Sequence, residues 1–187
     1  NMRTGGGLQA REGDQEGIRD FLRSTAGYFD YKLGSEIKVK SVLDKLWLYP
    51  LRSLLTIKLA ARREQGIDTE LEILLPVTRC AMKEEDLVRC VGILLDNAGE
   101  EAVEVNGGKV QILILQEERE LLIAVSNSCL SKPDLAAMQR PRHTSKGVGR
   151  GTGLASYRRI LEGYPGSVGR TLWADGILTQ ELRIGEE

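Results

Sequence analysis

The chain has 187 residues, enough for one ordinary domain with a real core or for a smaller domain plus an appended piece, and the second is expected. Its 26 basic and 27 acidic residues leave a formal net charge of -1, and no stretch gathers the basic residues on one face, so a nucleic-acid partner is not indicated. The longest apolar runs, such as Ile112 to Leu115, are far too short to cross a bilayer, and the N-terminus has no charged-then-apolar signal pattern, so a soluble, cytoplasmic chain is expected.

Residues 1–16, with "TGGG" near the start, read as a disordered leader or an appended remnant. Residues 17–65 are helical in pattern, with Phe21, Leu22, Tyr28 and Phe29 on a first segment and Ile37 to Leu48 on a second. A further helix is opened by Pro50 at a favourable first-turn position. Leu51, Leu54, Leu55, Lys58, Leu59 and Arg62 follow at spacings of three and four, and Gly66 sits where a C-terminal cap belongs. Because these helices precede the first convincing strand, they are expected to form a separate helical element, with residues 66–187 as the main domain.

"IDTELEILL" alternates as a strand does and ends at Pro76. "KEEDLVRCVGILLDNAGEEAVEV" opens with acidic residues suited to a helix N-terminus and puts Leu87, Cys90, Val91, Leu94, Leu95 and Ala98 on one face. "KVQILILQEERELLIAVSN" is two β-branched runs around charged turn residues, most simply an antiparallel hairpin. A polar stretch from Ser126 to Arg150 is longer than connections usually are, which makes it functional or disordered. A helix from Thr152 to about Leu161 and a final hairpin turning at Ala174 to Gly176 complete the chain. This order predicts an α/β fold, a two-layer sandwich with a mixed, largely antiparallel sheet and helices on one face.

Cys80, Cys90 and Cys129 have no Cys-x-x-Cys spacing and one histidine, His143, to help them, so they read as reduced, packed thiols and His143 as an exposed loop residue. The glycines are more informative. "TSKGVGRGTGL" alternates Gly147, Gly149, Gly151 and Gly153 just before a predicted helix, where backbone N–H groups and the positive dipole end suit a phosphate, and Lys146 and Arg150 add positive charge. The P-loop pattern fails because Gly153 is followed by Leu154, and the Rossmann pattern fails in spacing and context. Without further support a flexible surface loop explains such a stretch equally well. About fifty residues upstream, Asn97 offers an amide oxygen suited to Mg2+, although Asp96 and Asn97 alone could be the polar edge of an amphipathic helix.

"LLDNAGEEA" resembles the N box, and "TSKGVGRGTGL" the G2 box, of the GHKL superfamily of ATPases. With "DLVRCVGILLDNAGEEA", "VSNS" and "YPLRSLLTIKLAARREQGID", the chain looks like the catalytic domain of the peptide-sensing histidine kinases of the Agr and Com quorum-sensing systems over roughly residues 48–185. The resemblance implies a Bergerat-type ATP-binding fold, with Asn97 coordinating Mg2+ that bridges the ATP phosphates and Asp96 helping to position the ion or its water shell. Asn127 matches the position that binds the adenine amino group, where most histidine kinases carry Asp and this subgroup carries Asn, whose carbonyl oxygen still accepts a hydrogen bond. Thr144, Ser145, Lys146 and Gly147 match the phosphate-facing end of the ATP lid. Gly149, Gly151 and Gly153 match the turn that brings backbone N–H groups to the phosphates, and Arg150 and Leu154 beside them are further nucleotide-binding candidates.

The departures also carry information. The glycines that normally follow the adenine box are replaced by Ser128 and Cys129, and Ile93 stands where many histidine kinases carry a polar residue, which excludes general-base help from that position. No histidine lies in the helical N-terminal part, so the expectation is the C-terminal fragment of a larger kinase whose phosphoacceptor histidine and membrane sensor lie elsewhere. ATP, a response regulator and a second copy joined through N-terminal helices are the partners implied. Two alternatives stay open: a degenerate interaction module of the same fold, and a GHKL-type serine kinase regulating a sigma factor.

Overall fold

The computed structural model describes residues 38–138 and 152–186. The expected leader, the first helical segment around Phe21 to Phe29, and residues 139–151 lie outside the described residues. From Val42 onward the chain forms one compact unit, Val42–Glu187, so the compact unit starts well before the boundary expected at residue 66. The helical reading of Ile37 to Leu48 holds only to residue 43. Leu46 instead forms a parallel bridge to Val77. The Trp47 N–H donates to the Val77 carbonyl at 2.9 Å, the Val77 N–H donates to the Lys45 carbonyl at 2.8 Å, and Lys45 Nζ reaches the Ile73 carbonyl at 3.0 Å. Backbone pairing with the segment after the first strand outweighs local helical spacing here.

Helix α1 (Tyr49–Glu64) starts with Pro50 in its first turn and buries Leu51, Leu55 and Leu59, one stripe at i, i+4, i+8. Gly66, at φ 79°, turns the chain into strand β1 (Asp68–Ile73), whose Thr69, Leu71 and Ile73 point inward. Helix α2 (Glu84–Ala102) has Glu84, Glu85 and Asp86 in its first turn, which favours its positive dipole end. Strands β2 (Lys109–Gln116) and β3 (Glu120–Ser128) form the expected hairpin. A short helix α3 (Leu135–Met138) precedes α4 (Thr152–Glu162), and β4 (Ser167–Ala174) and β5 (Ile177–Gly185) close the chain. The last turn falls on Asp175 and Gly176, both at positive φ, as tight two-residue hairpins require.

The five-stranded sheet runs β1-β2-β3-β5-β4, with β1 and β2 parallel and every other pair antiparallel. A helix must carry the chain from β1 back to the start of a parallel β2, and α2 is that helix. The helices cover one face in the order of the strands: α1 beside β1, α2 on β2 and β3, α4 on β4. The expected two-layer, largely antiparallel sandwich is therefore the fold observed. Its core lies between the layers, in fully buried side chains such as Leu55, Leu87, Leu94, Ile114, Ile123 and Leu182.

Because Leu55 is 0% exposed within this core, Leu55→Ala should cost about 3 kcal/mol in urea unfolding while keeping a single transition. A loss below about 1 kcal/mol would mean that α1 is not part of the cooperative unit.

Candidate functional site

Helix α2 divides its circumference among three neighbours. Leu87, Val91, Leu94, Leu95, Ala98 and Ala102 are buried. Gly92, Asp96 and Gly99, at i, i+4 and i+7, form a stripe toward α1, with the Leu54 methyls 3.9 Å from where a Cβ on Gly92 would stand. Ile93 and Asn97, at i and i+4, form a stripe toward α4, where a Cβ on Gly153 would meet Ile93 Cγ2 at 3.4 Å. The start of α4, which ends the glycine-rich stretch, thus abuts the turn of α2 immediately before Asn97.

Chain connections bring the other residues to the same end of the molecule. After Ala102 the chain turns through Gly107 and Gly108 into β2, so the second half of α2 lies beside Val110. Val110 pairs with Asn127, Asn127 with Leu178 and Leu178 with Trp173, one row across four strands. Strand β4 returns alongside α4: Gly169 passes so close that a Cβ there would stand 2.7 Å from Tyr157 Oη. Trp173, further along β4, therefore lies toward the start of α4. Asn97, Asn127, Gly153 and Trp173 are gathered at one end of the sandwich.

Asn97 is partly exposed, yet its Nδ2 is buried with no hydrogen-bond partner among the described residues. An unpaired buried amide group costs about 1–3 kcal/mol and calls for a ligand to complete it. Half a turn of the amide would put the acceptor oxygen in that position, as a cation requires. Among the described residues no group of three His, Cys, Asp or Glu side chains could cage a metal. A single amide oxygen fits Mg2+, which takes one or two protein oxygens and completes its shell with phosphate and water.

Asn127 is 2% exposed and donates from Nδ2 to the Ser128 carbonyl at 2.8 Å. That bond fixes the amide's orientation and leaves Oδ1 as the acceptor end, which an exocyclic amine could use. Asp96 stands apart from this arrangement. Its Oδ1 takes Lys58 Nζ at 2.6 Å and Arg62 NH2 at 3.0 Å, so the carboxylate is directed at α1. Leu154 follows Gly153 in the first turn of α4, half-buried. Thr144, Ser145, Lys146, Gly147, Gly149, Arg150 and Gly151, with His143, lie outside the described residues. Trp173, whose Nε1 is buried without a partner among the described residues, and Lys132, 5.6 Å from its ring centroid, were not singled out from the sequence. A tryptophan in an alternating strand reads simply as core.

The three cysteines are free, Cys90 buried and Cys80 and Cys129 half-buried. Burial, with a smaller contribution from the Asp86 carboxylate, pushes the Cys90 thiol up to about 12, and burial followed by Cys90 itself raises the Tyr157 phenol. These two groups lie in the joint between α2 and α4. No helix among the described residues is long and apolar enough to cross a membrane.

Residues 82–185 match the family model described as the GHKL domain, and the chain belongs to that family. Among solved structures, the nucleotide-free catalytic domain of histidine kinase ThkA matches at 22% identity and TM-score 0.64, covering 73% of this chain and 90% of that one. The mycobacterial sensor histidine kinase MprB matches at 18% identity and TM-score 0.57, covering 71% and 93%. ThkA in complex with the response regulator TrrA matches at 17% identity and TM-score 0.62, covering 97% of this chain and 62% of that chain. At these identities the likeness shows the fold, that of histidine kinase catalytic domains. Among curated proteins, none matches the chain.

The Cys90 shift has a sign that can be checked. The unfolded thiol ionises near its ordinary value of 9.0 while the folded one keeps its proton to about 12, so its contribution to stability is complete below pH 9 and lost as pH rises toward 12. Urea midpoints should fall over that window, and less steeply in Cys90→Ala. A variant with the same alkaline slope as the parent would contradict the assignment.

Proposed function

We propose that this chain is the Mg-ATP-binding catalytic domain of a two-component sensor histidine kinase of the Agr and Com type, passing the γ-phosphoryl group of ATP to a histidine outside these residues. The observation that carries the proposal is the close approach of Gly153 to Ile93, whose Cγ2 lies 3.4 Å from where a Cβ on the glycine would stand, which brings the end of the glycine-rich stretch to the turn preceding Asn97. A helix start and an incompletely bonded amide, brought together at one end of a GHKL sandwich, suit a polyphosphate and its counter-ion.

In this reading Asn97 holds Mg2+, which when bound neutralises charge on the phosphates. Asn127 accepts from the adenine amine through Oδ1, held in place by its own bond to the Ser128 carbonyl. The backbone N–H groups at Gly153 and Leu154 point toward the phosphates, since the first N–H groups of a helix have no partner within it. Thr144, Ser145, Lys146, Gly147, Gly149, Arg150 and Gly151 enter the reading through their match to the G2 box. The apolar Ile93 supplies no base, so the chain's own contribution is positioning and electrostatic stabilisation. The likeness to ThkA, a kinase solved with a response regulator bound, supports a response regulator as the partner of the full protein. A homodimer through N-terminal helices is part of the same proposal and rests on the resemblance to the Agr and Com kinases.

Calorimetric titration of a non-hydrolysable ATP analogue should show binding that depends on Mg2+ and is weakened at least tenfold by Asn97→Ala, consistent with loss of a metal ligand. The chain by itself should bind nucleotide without forming acid-labile phosphohistidine. A folded wild-type chain that binds no nucleotide would favour the degenerate interaction module instead.

A further inference from the structure

Asp96 and Asn97 are neighbours in sequence but belong to different stripes of α2, and their surroundings differ accordingly. Asp96 Oδ1 receives both Lys58 and Arg62, residues one turn apart on α1. Arg62 also donates from NH1 to Gln65 Oε1 at 2.9 Å, and its side chain is mostly buried, at 15% exposure. The guanidinium lies across Gly99, where a Cβ would come 2.1 Å from Nε, so only a glycine leaves room for this path to Asp96. A carboxylate, two cations and a glycine are thus arranged at the same point between α1 and α2, one residue from Asn97.

The Asp96 side chain is 44% exposed, and ion pairs at such exposure add little to stability. Orientation is a different matter. Successive residues on a rigid helix are separated by about 100° around its axis, so holding the Asp96 turn of α2 against α1 also holds the backbone from which Asn97 projects. We infer that Lys58 and Arg62 are positioning residues for the nucleotide site, acting through Asp96: the buried face sets the roll of α2, and the two-cation clamp holds the Asp96 turn against α1 and so keeps Asn97 aimed at its metal. This inference rests on the nucleotide reading above. It places Asp96 outside the metal's water shell, and it makes α1 the element through which anything attached upstream would reach the site.

The test is calorimetric titration of a non-hydrolysable ATP analogue into the 187-residue chain, with and without Mg2+, with circular dichroism melts alongside. Asp96→Asn and the double variant Lys58→Met/Arg62→Met should each weaken Mg-dependent binding about fivefold or more, leave Mg-free binding and the melting temperature nearly unchanged, and give no further loss when combined with Asn97→Ala. The exchange Lys58→Arg/Arg62→Lys, which keeps both cations, should retain wild-type affinity. If the double methionine variant does not fold, Lys58→Met alone carries the same expectation. Weakening by Asp96→Asn but not by loss of the cations would overturn the inference in favour of direct contact between Asp96 and the metal's water. Full additivity with Asn97→Ala would overturn it as well. Mg-dependent binding unaffected by any of these changes would overturn this inference alone, whereas a wild-type chain with no Mg-dependent binding would overturn the nucleotide reading and this inference together.

Discussion

The rest of the structure depends on one packing arrangement, that of α2 on the centre of the sheet. Its Leu87, Leu94 and Leu95 are buried, and burial of large aliphatic side chains contributes about 1.5–3 kcal/mol each. No exposed ion pair approaches that. The same helix is the crossover that makes β1 and β2 parallel, so it sets the topology as well as the core. Its sheet-facing side is committed, and Glu84, Glu85, Arg89 and Glu100 face solvent; between them lie two flanks, each of which meets a different helix.

This division separates two jobs that the sequence places side by side. The flank toward α1 carries Asp96 between two glycines, close enough for helix contact and for the Arg62 side chain to pass. The flank toward α4 carries Ile93 and Asn97, with the start of α4 set against the isoleucine. An apolar residue at that contact suits packing, and it leaves Asn97 as the polar group of that stripe. Hydrophobic contact fixes where the helices are, and hydrogen bonds and charge then decide which way the polar groups face.

Much of the fold was legible because period and punctuation agree along the chain. Alternation marks β1, β2 and β3, acidic residues mark the start of α2, and the Asp175–Gly176 turn marks the last hairpin. The helical reading of Ile37 to Leu48 fails after residue 43, because the backbone of Lys45 to Trp47 finds partners around Val77, far away in sequence, despite its helical spacing. A similar limit applied to Asp96. Its adjacency to Asn97 is plain in the sequence, whereas the cations that meet Asp96 lie 38 and 34 residues upstream and could not be read from it.

The sequence by itself determined the class of fold and the elements that bury apolar surface, and it put forward Asn97 and Asn127 as candidates, since these depend on periodicity and on side-chain chemistry. The tertiary structure alone decided which residues meet: Gly153 beside Ile93, Trp173 in the row of Asn127, and Asp96 turned to Lys58 and Arg62. Such meetings depend on the order of strands in the sheet and on how each helix rolls to bury its apolar face. Neither is encoded in any one stretch of chain; both follow from the whole core closing at once.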